Sequence, residues 1–303
     1  MKQTIKTLFL FLLMGMGFYP RSISAQGFTI GTYNLRYANH EDSLNGNGWG
    51  QRYPVLVNMI RFHGFDIFGT QEGLYPQLQD MVKALPGYTY FGVGRDDGIN
   101  AGEHSAIFYR TDKFELLENG NFWLSAITDR PNKGWDAALP RICTWGKFKE
   151  KGTKFEFYMF NLHMDHIGVK ARAESSKLIL QKIKEFPKDI PVILTGDFNV
   201  DQYNESYTLI NQSGILRDAF ELSPIKLASI GTFNGFNTDQ YTDQRIDHIF
   251  LSKAFTVQRY GILTDTYRTK QADSMEGKKE TYKARVPSDH YPVMIVVTHE
   301  KTK

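Results

Sequence analysis

Val192-Ile193-Leu194-Thr195-Gly196-Asp197-Phe198-Asn199 decides how this chain is read. A short run of β-branched and aliphatic residues is a buried strand, and the glycine after it ends the run. An Asp-x-Asn pair directly beyond the strand then puts a carboxylate and an amide at one end of a sheet. Alone, such a pair is most simply a turn. The same arrangement recurs along the chain. Gly31-Thr32-Tyr33-Asn34-Leu35-Arg36 ends the first apolar run, and Gly69-Thr70-Gln71-Glu72-Gly73 ends the second. Asn161-Leu162-His163, Arg245-Ile246-Asp247-His248 and Ser288-Asp289-His290 sit at further strand ends. Six polar clusters at the ends of apolar runs describe one site assembled from many strands.

The intervening sequence mixes strand and helix signals. Strands are expected over residues 28–33, 66–70, 88–93, 105–109, 192–195, 245–251, 255–263 and 291–298. A hairpin is expected over 142–148 and 154–162, turning at Lys151-Gly152-Thr153. Helices are expected over 53–62, 75–85, 170–186 and 203–212, the third from Ile179, Ile183 and Phe186 at helical spacing. Residues 155–160 are apolar at nearly every position, which implies a sheet covered on both faces. No repeat and no Gly/Ser or Pro linker divides the region, so residues 26–303 form one α/β domain. Residues 125–140 and 267–287 read as long polar loops.

Composition narrows the function. The chain has 303 residues, and 41% of them are hydrophobic, enough for a sizeable core. A single cysteine, Cys143, excludes an internal disulfide and a cysteine-based zinc site. Lys2, Lys6 and Arg21 account for the whole net charge of +3, and residues 1–25 hold no acid. The rest of the chain is electrically balanced and has no global basic field for long nucleic acid. Residues 1–25 combine basic residues, the apolar run 8–16 and Ser24-Ala25, the pattern of a cleaved signal peptide. The apolar run is too short to span a bilayer. The expected product is an exported bacterial protein, periplasmic or extracellular, monomeric, with no transmembrane segment in the mature chain.

With these motifs in this order, the sequence resembles the endonuclease/exonuclease/phosphatase superfamily over roughly residues 27–300. That superfamily includes pancreatic-type deoxyribonuclease, abasic-site endonucleases, bacterial sphingomyelinases and inositol polyphosphate 5-phosphatases. The resemblance implies a deoxyribonuclease I-like α/β fold, a four-layer α/β/β/α sandwich with the site at one end. It also implies roles. Glu72, with Asn34 beside it and Asp289 adding a carboxylate, would hold Mg²⁺, with Mn²⁺ as a substitute. Asp197 would position or deprotonate water, and Asn199 would hold a phosphoryl oxygen or that water. His290 would face the phosphate and Asp247 would orient it, either Asp197 or His290 being the base. His163 marks the deoxyribonuclease, sphingomyelinase and 5-phosphatase branches, because abasic-site enzymes carry tyrosine there. Glu103 would be its carboxylate partner. Arg36, Arg141 and Trp135 are candidate substrate contacts, and Trp123, which with Trp135 flanks a polar loop, either stacks on a ligand or belongs to a satellite core. The pattern Phe122-Trp123-Leu124-Ser125, Trp135-Asp136, Arg141 and Trp145 looks like a bacterial subgroup.

The chemistry is consistent with the residues. Hydrolysis of an anionic phosphoester needs a cation on the phosphoryl oxygens and a base for water, and carboxylate and amide oxygens suit a hard divalent ion. The expected activity is that of an exported metal-dependent phosphoesterase. A small substrate, such as a lipid head group or phosphorylated sugar, is favoured. DNA or RNA cleavage is the alternative. A catalytically dead binding module is disfavoured because Glu72, the Asp-x-Asn pair and His290 are all present.

Overall fold

Alternation along the strands sorts the apolar residues into three layers. On the strand over residues 156–163, Phe157 and Met159 point into one core while Tyr158, Phe160 and Leu162 enter another. The first strand does the same with Phe28 and Ile30 on one face and Tyr33 on the other. Both therefore belong to sheets buried on two sides, as their unbroken apolar runs imply.

The computed structural model describes residues 27–271 and 280–299. The expected signal peptide and the tip of the 267–287 segment lie outside these residues. The chain runs β1 (Gly27–Asn34), α1 (His40–Leu44), α2 (Trp49–His63), β2 (Ile67–Gln71), α3 (Tyr75–Ala84), β3 (Tyr88–Phe91), β4 (Ile107–Arg110) and β5 (Phe114–Trp123). It continues through β6 (Ile142–Glu150), β7 (Glu156–His163), α4 (Val169–Glu185), β8 (Val192–Asp197), α5 (Glu205–Asn211), β9 (Arg217–Asp218), α6 (Ala219–Leu222) and β10 (Lys226–Leu227). It ends with β11 (Asp247–Leu251), β12 (Phe255–Ile262), β13 (Tyr267–Lys270), β14 (Tyr282–Arg285) and β15 (Val293–His299). One sheet has the order β10-β12-β15-β1-β2-β4-β3 and the other β5-β6-β7-β8-β11-β9. Their inner faces share the core built on Phe28, Ile30, Phe157, Ile193, Ile249 and Ile295. Helix α2 covers the first sheet with Leu56, Val57 and Ile60, and α4 covers the second with Ile179, Leu180 and Ile183. This is the expected four-layer α/β/β/α sandwich.

Two expectations are corrected. Strand β5 was not foreseen, because Glu115, Glu118, Asn119, Gly120 and Asn121 break the apolar alternation. It is an edge strand with a register irregularity between Leu116 and Glu118, so one side of it needs no apolar partner. The 267–287 segment is not simply a loop. It contains the hairpin β13–β14, whose Arg285 donates to Asn45 O and Asn47 Oδ1 and ties it to the turn after α1.

Behind β11 lies a buried ionic cluster that fixes the strand carrying Asp247. Asp218 is fully buried and accepts from Tyr207 Oη, Arg245 Nη1 and Phe220 N at 2.8, 2.8 and 2.9 Å. Burial alone would raise its pKa. The contacts with His248 and Arg245 more than reverse this and hold the carboxyl well below the usual range. A depressed folded-state pKa stabilises the fold above the unfolded carboxyl value of about 3.9 and loses that stabilisation as pH falls. Asp218→Ala, which strands Arg245, is expected to cost about 3–5 kcal/mol in urea unfolding at neutral pH. It should also flatten the loss of stability of the native protein below about pH 4. An acid limb equally steep in the variant would assign that limb to other carboxylates.

Candidate active site

The inward-facing stripe of each central strand changes character in the same order toward one end of the sandwich. Strand β1 reads Phe28, Ile30, Thr32, Asn34, and β7 reads Phe157, Met159, Asn161, His163. Strand β8 reads Ile193, Thr195, Asp197, while β11 runs the other way from Asp247 to Ile249 and Leu251. Apolar positions give way to a layer of hydroxyls and amides, and then to titratable groups. Register brings the last layer together: His163 and Asp247 are both Cα partners of Asp197, on its two neighbouring strands. From the other sheet, parallel pairing of β1 and β2 places Asn34 beside Gln71, one residue before Glu72. Ser288-Asp289-His290 enters from the segment before β15.

Asn34 links the two halves. Its Nδ2 donates to Glu72 Oε1 at 3.0 Å and to Asp197 Oδ2 at 2.9 Å, while Oδ1 accepts from Arg36 N. Glu72 Oε2 accepts from Tyr37 N at 3.1 Å. Asp197 Oδ1 accepts from Asn199 N, and its Oδ2 lies 3.5 Å from His163 Nε2 and 3.7 Å from His290 Nε2. His290 Nδ1 and Asp247 Oδ2 are 2.8 Å apart, and Asp247 N donates to Thr232 Oγ1. Left-handed backbone at Arg36, Glu72 and Asn199, with φ of 55°, 62° and 51°, concentrates strain around the site. Asparagine tolerates this region, whereas arginine and glutamate adopt it at a cost.

The two histidines are driven apart. Burial and the neighbouring Arg141 guanidinium hold His163 down to about 3, so its ring stays neutral. Burial also works against protonation of His290, but Asp247 and Asp197 overcome it and raise its pKa well above the ordinary value. Asp197 is raised by burial and by Asp247. Asp289 is pushed up to about 6, mainly by burial, with His290 opposing and Glu72 adding repulsion.

Several expected residues sit differently from their assigned roles. Glu103 forms a fork with Arg95 at 2.6 and 2.8 Å and lies 3.6 Å from His163 Nδ1, which is buried without a hydrogen bond. Arg95 is thus its main partner. Asn199 Nδ2 donates to Met164 O. Asn34 turns its nitrogen, not its oxygen, toward Glu72. Arg36 bridges Asp42 at 2.8 Å and Asp289 at 3.6 Å. Arg141 is buried behind His163 and paired with Asp165 at 3.2 Å. Trp123 is buried and donates from Nε1 to Arg95 O, so it is a packing residue and not an exposed ring. Trp135 is 37% exposed. Sequence reasoning passed over the 231–246 segment, where Thr232 supports Asp247, Asn234 Nδ2 donates to Ser288 O, and the exposed Phe233 ring packs edge-on at 5.1 Å from His290. It also passed over Arg52, whose Nη1 donates to Leu35 O and Pro287 O. Arg52 lies just outside the helix expected over 53–62, and the 231–244 segment offers no strand or helix signal.

The oxygen donors fit a hard divalent cation. Glu72 and Asp289 are two carboxylates near enough for Glu72 to add to the upward shift of Asp289, which burial dominates, and such paired oxygen donors suit a hard cation. Asp197, Asp247 and His290 form the tightest cluster of ligand-type atoms among the described residues, all within 4.8 Å. There Asp247 Oδ2 is taken up by His290 Nδ1, although its Oδ1 is buried without a partner, and His290 favours the protonated form, which makes that cluster the poorer cation site.

The family model described as the Endonuclease/Exonuclease/phosphatase family matches residues 31–290. A crystal structure of a protein of that family from Bacteroides thetaiotaomicron is 56% identical, covers 91% of this chain and 99% of its own, and superposes with a TM-score of 0.88. A mannosyl-6-phosphatase from the VPI-5482 strain of that bacterium is 57% identical over 89% of this chain and 99% of its own, with a TM-score of 0.86. Among curated proteins, the uncharacterized protein L388 of Acanthamoeba polyphaga mimivirus is 28% identical over 265 residues, 82% of this chain and 91% of its own.

The Asp247–His290 pair generates a direct test. Asp247→Asn is expected to lower the pKa of His290, read from the pH dependence of its ring resonances by NMR. An unchanged titration would assign the proton affinity of His290 to Asp197 instead.

Proposed function

The chain belongs to the endonuclease/exonuclease/phosphatase family, whose members are hydrolases of phosphoester bonds, and from that premise we propose that it is an exported, Mg²⁺-dependent phosphatase acting on a 6-phosphorylated sugar. The observation that carries this reading is the 57% identity, over 89% of the chain, with a mannosyl-6-phosphatase. The electrical balance of residues 26–303 supports a small substrate over long nucleic acid. Export is supported by the pattern of residues 1–25.

The residues divide the work as follows. Glu72 and Asp289 would hold the cation, which supplies neutralising charge on the phosphoryl oxygens. Asp197, held by Asn34 and the Asn199 amide, would accept the proton of the attacking water. Its raised pKa makes it a better base than a free aspartate. His290, kept as an imidazolium by Asp247, would face the phosphoryl oxygens as a fixed positive charge and is therefore not the base. Neutral His163 would add a ring N–H donor from the opposite side of Asp197. Asn34 would keep Glu72 and Asp197 at a fixed separation, so that water and phosphate meet in one geometry.

Phosphate release from mannose 6-phosphate, glucose 6-phosphate, bis-p-nitrophenyl phosphate and plasmid DNA, with and without Mg²⁺, tests the reading. Mannose 6-phosphate is expected to exceed the diesters in kcat/KM by about 100-fold or more, roughly 2.7 kcal/mol of discrimination. Preferred cleavage of DNA or of the diester would overturn it. Glu72→Ala is expected to lose more than about 100-fold of the metal-dependent rate while remaining folded. Near-native turnover at low Mg²⁺ would remove Glu72 from the cation site. The amino-terminal sequence of the protein in the periplasmic or extracellular fraction checks export. A start near Gln26 is expected, and an intact Met1 would contradict it.

A further inference from the structure

We propose that Trp135 and His166 form a sugar-binding subsite on the rim of the active site, which receives the pyranose next to the phosphorylated one in an oligosaccharide substrate. The inference rests on the phosphosugar reading and extends it from a single sugar to a glycan.

His166 follows His163 by three residues, so their Cα atoms are at most about 11 Å apart. The segment between them is pinned. Asp165 Oδ1 accepts from Ile167 N at 3.0 Å and Gly168 N at 2.7 Å, and Asp165 Oδ2 accepts from Leu139 N at 3.3 Å and Arg141 Nε at 3.2 Å. Arg141 Nη2 lies 2.8 Å from His166 Nδ1. A guanidinium has only donors, so Nδ1 must accept and the ring carries its proton on Nε2. His166 is exposed. It therefore presents a tautomer-fixed N–H donor to solvent three residues beyond His163, set by a buried arginine.

Trp135 is tied to the start of α4, at Lys170 four residues beyond His166, by a second set of anchors. Asp136 accepts from Lys170 N and Ala171 N at 3.2 and 2.6 Å and so serves the start of α4, whose own N-cap is Gly168. On the other flank, Gly134 is packed so closely that a Cβ there would lie 2.2 Å from Leu124 O. Between these neighbours Trp135 is held at φ 50°, a costly conformation for a bulky residue. It is 37% exposed and, unlike the buried Trp123, makes no hydrogen bond or ring contact among the described residues. Ile167 and Val169, 63% and 69% exposed, add apolar surface at the start of α4. An aromatic face and an oriented N–H donor, carried by two segments that meet at the start of α4, match the two sides of a pyranose, the C–H face and the hydroxyl edge. The offset from His163 along the chain suits the neighbouring sugar better than the one bearing the reacting phosphate.

The test compares mannose 6-phosphate with a 6-phosphomannosyl disaccharide and follows unphosphorylated mannobiose binding through the indole N–H resonance of Trp135, assigned by its loss in Trp135→Ala. The native protein is expected to prefer the disaccharide. Trp135→Ala and His166→Ala should each lower that preference by about tenfold, mainly through KM, with melting temperatures near native. Mannobiose should shift the Trp135 resonance in a Glu72→Ala background, where turnover is absent. Equal losses on both substrates, or no mannobiose shift, would overturn the subsite. If mannobiose binds at Trp135 while no sugar phosphate is hydrolysed, the phosphatase reading fails and the subsite stands. If mannose 6-phosphate is hydrolysed and neither variant discriminates, the subsite alone fails.

Discussion

The side-chain amide of Asn161 is the contact on which the site depends, because it joins the two sheets directly beneath it. Its Nδ2 donates to Thr70 O and Ala106 O of the facing sheet, and its Oδ1 accepts from Gln71 Nε2 at 2.7 Å and Thr195 Oγ1 at 3.1 Å. All of these groups are buried, so each unmade bond would cost desolvation without return. The facing residue must be glycine: a Cβ on Gly69 would lie 2.1 Å from Asn161 Oδ1. Apolar packing between sheets tolerates sliding, whereas this directional network does not. It fixes the offset that lets Asn34 and Glu72 from one sheet meet His163, Asp197 and Asp247 from the other.

Above that amide layer the problem becomes electrostatic. Asp197, Asp247, Asp289, His163 and His290 are all buried, and charges there are tolerable only when paired. The sheet register supplies the pairing, with Asp197 between His163 and Asp247 on adjacent strands. Arg52 supplies a different support. It is fully buried on α2, and its Nε donates to Asn47 O, its Nη1 to Leu35 O and Pro287 O, and its Nη2 to Arg36 O. One guanidinium thus ties the exit of β1 to the segment leading into Asp289. The end of the site that holds Asp289 is held by backbone contacts to a helix, and the end that holds Asp197 and Asp247 by strand register.

On the proposed reading, the chemistry and the selectivity come from different parts of the fold. The reacting groups sit at strand ends, where backbone pairing sets positions tightly. The rim belongs to long connections, the 124–141 and 228–246 segments, which can vary without disturbing the sandwich. Here the 124–141 connection is stapled to α4 and to the residues after His163, so it is a structured wall and not a mobile flap. A hydrolytic centre shared across a family can be fitted to one substrate by such a wall.

The sequence by itself determined the class of fold and which strand ends carry the polar and titratable residues. Period-two alternation of Phe157, Met159, Asn161 and His163, or of Ile193, Thr195 and Asp197, already orders apolar, amide and titratable residues along one face. The edge strand β5 and the hairpin β13–β14 left weaker traces, since elements with few buried neighbours need no apolar pattern. Only the tertiary structure decided partnership. Glu103 meets Arg95 more closely than His163, Arg52 serves four carbonyls from distant segments, and Phe233 lies against His290 from a connection with no periodic signal. These contacts join residues far apart in the chain, and their distances follow from how two sheets and their helices pack. Local pattern records which face a side chain occupies and is silent about what stands opposite it.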